Sequence, residues 1–237
     1  KIGQKRRNIK KWFDGQHFPK RAIWSMTKQK DKLYWLGTEQ GIIRFDYGKD
    51  TYKEFPLISE KSNERIARCM FIDDKNILWI GTYSGGIFLF DIETEKFIKN
   101  YRANGKVGDI THNKIYCFKK DSKGEIWIGT AAGLAKFNRE TETFTYWKSD
   151  KNNPNSLVGD MVLDIVEDTN YQFWIATYDG GFCQFDPIKN KFRVHGQENE
   201  MNQEATYSIL LDKKNNLWIS TNNGILHFEQ QTEKIKR

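Results

Sequence analysis

Several residue types and patterns are scarce in this chain, and each scarcity excludes a class of protein. With only four prolines and 14% aromatic residues, the composition does not fit a disordered chain. No apolar run approaches the ~20 residues that a membrane-spanning helix needs. The three cysteines are an odd number without metal-ligand spacing, so we expect free thiols rather than a zinc site or a disulfide framework.

Motifs of enzymes are also missing. The sequence contains no Gly-x-Ser-x-Gly turn, no His-Glu-x-x-His helix and no glycine-rich loop that could cradle a phosphate before a helix. The four histidines are far apart in the sequence, at His17, His112, His195 and His227. We therefore expect no catalytic residues, no metal and no cofactor, and we predict that this segment is not an enzyme.

The positive charge is unevenly distributed. The chain carries a net charge of +7, but residues 1–36 hold eleven Lys and Arg against two Asp and Glu, which leaves −2 for the remainder. The densest basic run, Lys5–Arg7, is expected at a solvated hairpin tip, and no nucleic-acid-binding motif accompanies it. The sequence therefore predicts no nucleic-acid partner for this segment.

One short pattern is present five times. It reads Trp-(Leu/Ile)-x-Thr-x-x-Gly, and successive tryptophans are 44, 48, 47 and 44 residues apart. A period in the forties, built from short segments of alternating polarity, is typical of a β-propeller in which each repeat forms one four-stranded blade. The sequence therefore predicts an all-β fold with five recognisable blades. The repeated tryptophans are Trp35, Trp79, Trp127, Trp174 and Trp218.

Each repeat can be divided into four strands, which we name A to D. Strand A ends in an Asp six residues before the Trp, with Gln29 in its place in the first repeat, and strand B carries the Trp. The Thr-x-x-Gly forms the B–C turn, where glycine relaxes a steric limit. Strand C closes on a Phe, and we expect this Phe and the Trp to be buried between blades. These phenylalanines are Phe45, Phe90, Phe137, Phe185 and Phe228.

The chain begins and ends at equivalent points of the repeat. Residues 1–13 are expected to be the tail of a preceding blade, because Ile2 and Ile9 reproduce the seven-residue spacing between the end of strand C and the start of strand D. The N-terminal strand could complete the last blade and close a five-bladed ring, or the five blades could be a segment of a larger propeller of about seven blades. We favour the second arrangement. The expected blades are 14–57, 58–102, 103–149, 150–195 and 196–237, the last one truncated.

Ligand contacts are expected where loops from all blades meet, at the mouth of the central channel. The two residues inside each B–C turn differ between repeats, unlike the Trp and Phe framework. A strand A position five residues before the closing Asp also carries large, partly polar side chains, and Arg68 there is the hardest to explain by packing. The candidate ligand-binding residues are Trp24, Arg68, Tyr83, Tyr116, Tyr178, Asp179, Tyr207 and Asn222.

The repeat resembles a known family. The pattern Asp-x-x-(Gly/Asn)-x-(Leu/Ile)-Trp-Ile-Gly-Thr, clearest in 73–91 and 121–138, is similar to the two-component-regulator propeller repeat. The resemblance implies a periplasmic, ligand-sensing domain of a hybrid two-component system that detects an oligosaccharide or another small ligand and signals through a histidine kinase. It also implies that membrane attachment, and any homodimer, depends on other parts of the parent protein.

Two other classes of function remain open. A propeller enzyme, such as a lyase resembling the streptogramin-inactivating propellers or a glycosidase, needs polar groups that converge on the axis. Strand A offers one acid, Asp164, whereas glycoside hydrolysis usually takes two carboxylates. A structural or dimerising propeller needs an exposed apolar face instead.

Overall fold

The computed structural model describes residues 19–195 and 204–237, and nearly all regular structure within these ranges is β-strand. The strands form five separate four-stranded antiparallel sheets, each built from four strands that are consecutive in the chain. Within the described residues, the one further element is a short 3-10 helix before the second sheet, Ser62–Arg65. The strands of the five sheets are β1 Ile23–Lys30, β2 Leu33–Thr38, β3 Gly41–Asp46 and β4 Thr51–Pro56; β5 Ala67–Ile72, β6 Ile77–Thr82, β7 Ile87–Asp91 and β8 Lys96–Tyr101; β9 Ile115–Lys120, β10 Ile126–Thr130, β11 Gly133–Asn138 and β12 Thr143–Trp147; β13 Val162–Glu167, β14 Phe173–Thr177, β15 Gly181–Asp186 and β16 Lys191–Val194; β17 Thr206–Leu211, β18 Leu217–Thr221, β19 Gly224–Glu229 and β20 Lys234–Lys236.

The sheets are stacked in chain order around their first strands. Strands β1, β5, β9, β13 and β17 lie side by side, each next to the first strand of the following sheet. Four apolar clusters fill the four junctions between neighbouring sheets. This is the predicted propeller arrangement, with strand A innermost, so the all-β fold with five four-stranded blades is confirmed.

The Asp that closes strand A explains much of the repeat. In the second blade, Asp73 Oδ1 accepts backbone N–H groups of Lys75 and Ile77, while Oδ2 accepts the Trp79 indole N–H at 3.1 Å. One carboxylate thus caps the A–B hairpin and orients the buried Trp. Asp121 and Asp168 bond their tryptophans in the same way. In the first blade, Gln29 Oε1 accepts the Trp35 indole N–H at 3.0 Å, so the exception to the pattern keeps this bond.

Two glycines of the repeat are required by geometry. In the second blade, Gly86 has φ +80°, a conformation that L-residues rarely adopt, and its carbonyl accepts the Thr82 hydroxyl at 2.8 Å. Gly81 lies in the Trp-Ile-Gly-Thr segment, where an added Cβ would be 2.5 Å from Cys69 Sγ and 2.6 Å from the Ile115 side chain of the next blade. Glycine at that position therefore allows neighbouring blades to approach.

The predicted burial of the repeated Trp and Phe side chains is confirmed except in the first and last sheets. Four of the five repeated tryptophans are at most 2% exposed, and four of the five phenylalanines are buried. The expectation is wrong for Trp218, which is 47% exposed, and for Phe45, which is half-buried. Trp218 belongs to the last sheet and Phe45 to the first. Within the described residues, neither has a further sheet to cover it.

The two end faces of the stack expose other apolar side chains. Trp24 and Met26 are exposed on the first sheet, as are Leu210 and Ile225 on the last. The expected tail of a preceding blade, residues 1–13, lies outside the described residues. Whether more blades complete the ring, and where the blade boundaries fall, stay predictions.

Candidate functional site

A β-bulge occurs near the start of strand A in all five blades. In the second blade, Ala67 pairs with Thr82 and Cys69 with Gly81, so Arg68 is the extra residue between them. A bulge changes the direction of a side chain and is frequent next to functional sites. The residue left unpaired is the strand A position singled out from the sequence. The five bulge residues are Trp24, Arg68, Tyr116, Leu163 and Tyr207.

The B–C turns lie beside the residues that enter strand A. The backbone N–H of Tyr83 donates to the carbonyl of Ile66 at 3.0 Å, and the N–H of Tyr178 donates to that of Met161 at 2.9 Å. The same bond recurs in the third and fifth blades. Each blade therefore presents a turn residue and a bulge residue at the same end of the sheet. We call this end of the propeller the mouth.

The junction between the second and third blades gathers several of these side chains. The Arg68 guanidinium lies 4.4 Å from the ring centroid of Tyr116 and 5.9 Å from that of Tyr83. The Lys114 ammonium lies 4.4 Å from the Tyr83 ring. Cation–π contacts of this kind contribute about 0.5–1 kcal/mol at exposed sites and ~2 kcal/mol when desolvated. Packing on the tyrosines therefore explains how Arg68 is held without a buried, unpaired charge.

The electrostatic environment of this junction is positive. The pKa of His112 is lowered, first by partial burial and then by the charges of Lys114 and Lys148. The ring accepts the Lys114 backbone N–H through Nδ1 at 2.9 Å. His112 is therefore neutral near pH 7, and the positive charge here comes from the lysines and Arg68.

The junction between the fourth and fifth blades has a tyrosine pair at the same positions as Tyr83 and Tyr116. Tyr178 in the B–C turn and Tyr207 at the bulge are both exposed, with ring centroids 6.1 Å apart and ring planes inclined at 67°. The neighbouring turn residue, Asp179, is tied to the loop before strand A, since its carboxylate accepts the backbone N–H groups of Asp160 and Met161. Its contacts in the structure are therefore with its own blade.

Asp164, the acid that the sequence offered for an enzyme, is held between blades. Its Oδ2 accepts the Ser208 hydroxyl at 2.7 Å and the Ile209 backbone N–H at 2.9 Å, and Oδ1 accepts the N–H of Ile165. The same position in the second blade is Cys69, whose side chain packs against the apolar cluster between the second and third blades. This register of strand A therefore joins neighbouring blades. It does not supply a carboxylate free for acid–base chemistry.

The structure thus groups the predicted site residues unequally. Arg68, Tyr83 and Tyr116 meet at one junction, and Tyr178 and Tyr207 meet at another. Trp24 and Asn222 are exposed in the first and last blades, apart from these groups. Whether any of them binds a ligand stays a prediction.

One residue at the junction of the second and third blades was not among the site residues predicted from the sequence. Lys114 precedes strand A where the other repeats have Ala22, Ile66, Met161 and Ala205, so a charge at an otherwise uncharged position could have identified it.

Neither a metal centre nor a membrane-spanning helix occurs within residues 19–195 and 204–237. No group of three or more His, Cys, Asp or Glu side chains is arranged there to hold a metal ion. Nor is any helix in these ranges long and apolar enough to cross a membrane.

Comparison with known sequences identifies the repeat. The family described as two-component regulator propeller matches residues 109–132 and 200–223. The chain is also 32% identical over 214 residues to histidine kinase P4 of Formosa agariphila, an alignment that covers 86% of this chain and 15% of that protein. The chain therefore corresponds to a small part of this relative.

Solved structures show the same fold. Two extracellular domains of hybrid two-component systems from B. thetaiotaomicron match with TM-scores of 0.76 and 0.75, at 20% and 21% identity. They cover 90% and 95% of this chain, which corresponds to 29% and 30% of theirs. Virginiamycin B lyase from Staphylococcus aureus matches with a TM-score of 0.68 at 12% identity, covering 92% of this chain and 70% of the lyase. At these identities the likeness concerns the fold alone.

Proposed function

Since two stretches of the chain match the two-component regulator propeller family, we propose that it is part of the extracytoplasmic, periplasmic ligand-sensing region of a two-component sensor. We further propose that its mouth binds an oligosaccharide. The similar sensors are extracellular domains, and the curated relative is a histidine kinase. In this proposal the chain binds, and other parts of the parent protein attach it to the membrane, dimerise and signal.

The observation that carries the proposal is the pair of tyrosine junctions at the mouth. Tyr83 and Tyr178 occupy the first position of the two B–C turns that contain a Gly-Gly pair, and both are exposed. Their counterparts on strand A are the bulge residues Tyr116 and Tyr207. The apolar faces of such rings can pack on the C–H face of a pyranose, and their hydroxyl groups can bond sugar hydroxyls.

The separation of the two tyrosine junctions favours a ligand longer than one sugar. The two junctions lie two blades apart on the same mouth, so an oligosaccharide could contact both while a monosaccharide would occupy one. Two weak contacts on one ligand bind it more tightly than either alone, because once the first contact has formed the second is intramolecular.

An enzyme of lyase type is the less favoured alternative. The lyase likeness concerns the fold, and the acid of strand A, Asp164, already accepts three hydrogen bonds from protein groups. A structural or dimerising propeller would use the exposed apolar faces of the first and last sheets. Those faces have the form expected where further blades continue the stack.

Incubation of the full chain with a panel of neutral and acidic oligosaccharides separates these functions. Melting temperature reports binding, since a ligand that binds the native state stabilises it, and chromatography of the same mixtures reports turnover. Stabilisation with unchanged oligosaccharides supports sensing, whereas formation of products supports an enzyme. No stabilisation by any member of the panel would count against the proposal.

Variants then locate the site. Tyr83→Ala and Tyr178→Ala should each weaken binding while keeping the melting temperature within a few degrees, because both side chains are exposed. The matched control is Tyr146→Ala, which removes a tyrosine that is 52% exposed on the outermost strand of the third blade, β12. If the control variant weakens binding as much as the other two, the ligand does not bind at the mouth.

A further inference from the structure

The two tyrosine junctions differ in charge. At the junction of the second and third blades, the second blade contributes its bulge residue, Arg68. The third blade contributes Lys114, the residue before its strand A. At the junction of the fourth and fifth blades, the equivalent residues are Leu163 and Ala205. The chain thus contains one aromatic arrangement twice, once with two cations and once with none.

The two cations are placed against the same ring without a carboxylate between them. Both lie within 6 Å of the Tyr83 ring centroid, at 5.9 Å for Arg68 and 4.4 Å for Lys114. No ion pair joins either one to an acid anywhere in the described ranges. Elsewhere in the described ranges, several arginines do have acidic partners, as Arg139 has Asp73 and Arg102 has Glu64.

The acid closest in sequence is already engaged. Glu64 is bonded by Arg102 at 2.9 Å and by the Ser59 hydroxyl at 2.8 Å, and these bonds lower its pKa. Two like charges beside one ring repel each other, and an anion between them would offset this repulsion. Guanidinium supplies a planar fork of donors and ammonium a compact charge, and both suit a carboxylate or a sulfate.

We propose that the junction of Arg68, Tyr83 and Lys114 is an anion-specific subsite, which takes a carboxylate or sulfate group on a sugar ring that packs against Tyr83. The inference rests on the proposed oligosaccharide binding and adds the class of ligand. The junction of Tyr178 and Tyr207, which lacks these two cations, accepts a neutral ring of the same oligosaccharide.

The test uses trisaccharide probes that differ in their charged group, and a variant that lacks both cations. Isothermal titration of the full chain compares trigalacturonate, its methyl ester and a sulfated galactose trisaccharide. The double variant Arg68→Leu/Lys114→Ala carries the residues of the other junction, and Tyr207→Ala is the matched change at that junction. Circular dichroism and melting temperature establish that each variant folds.

Wild-type protein should bind an acidic probe about tenfold or more tightly than the ester, as expected for a hydrogen bond to a charged group. The double variant should bind the acidic probe and the ester equally. Tyr207→Ala should weaken both. Preference for trigalacturonate or for the sulfated probe distinguishes a carboxylate site from a sulfate site, and either affinity should fall as salt rises.

Two results would overturn this inference and leave the binding function in place: equal affinity of the wild-type chain for ester and acidic probes, or an unchanged preference for acid in a folded double variant. Failure of the wild-type chain to bind any of the three trisaccharides would count against the anionic subsite as well, and the broader panel above would then decide the binding function separately.

Discussion

Replacing Trp127 by Ala should destabilise the chain strongly, because this residue is the centre of the junction between the third and fourth blades. Its side chain is 2% exposed. The ring packs on Phe173 at 4.8 Å and on Phe185 at 5.8 Å between centroids, and the indole N–H donates to Asp121 at 2.9 Å. The substitution removes these contacts and leaves a cavity between two sheets that cannot easily collapse.

The expected cost is about 3–5 kcal/mol, the range found when large aromatic residues in cores are replaced by Ala. Trp218 occupies the same position of the repeat and provides the control. It is 47% exposed and, among the described residues, has no indole bond to its Asp. Its replacement by Ala should lower the free energy of unfolding by only about 1–2 kcal/mol, since only about half of Trp218 is buried and no closed cavity forms.

Equilibrium unfolding in urea, followed by far-ultraviolet circular dichroism, measures both free energies. Far-ultraviolet detection is preferable to fluorescence because each variant removes a tryptophan. Equal losses for Trp127→Ala and Trp218→Ala would refute the reasoning, since they would mean that both tryptophans are equally buried in solution. That result would indicate a closed ring or a partner that covers the last sheet.

Two further predictions concern titratable groups. His195 is buried against Trp174, and burial lowers the pKa of its imidazole to about 4. Below about pH 6.5 the unfolded chain therefore binds more protons than the folded chain. The free energy of unfolding should fall by at most about 3 kcal/mol as the pH drops from about 6.5 to 4. Urea unfolding across this range should show the loss, and His195→Leu should abolish it; an unchanged pH dependence in that variant would contradict the assignment. Burial also raises the pKa of the Cys69 and Cys183 thiols to about 12. Alkylation of these thiols at pH 8 should therefore be slow in the folded chain and complete in urea. Rapid labelling of either thiol without urea would show that it is not buried.

Much of the fold follows from the sequence because the repeat encodes local bonds. The Asp of strand A, the Trp of strand B and the Thr-x-x-Gly turn are each satisfied within one blade. Their spacing therefore predicts the blade, whatever lies beside it. In the first blade, the Gln29 side-chain oxygen keeps the indole bond that the Asp carboxylate makes elsewhere.

What the sequence could not predict depends on neighbours. The exposure of Trp218 follows from the absence of a covering sheet within the described residues, which a repeat pattern does not record. The bulge at Arg68 changes the pairing register, and periodicity alone does not show which residue is left over. Lys114 was missed because it lies before strand A, yet its ammonium completes the junction around Tyr83.

Hydrogen–deuterium exchange of the chain, with and without a bound oligosaccharide from the panel, tests the location of the site most directly. The account predicts that the ligand protects the mouth, namely 66–68, 83–86, 114–116, 178–181 and 205–207, while the opposite end of each blade, with the A–B and C–D turns, is unchanged. Protection confined to that opposite end, or to the exposed faces of the first and last sheets, would contradict it.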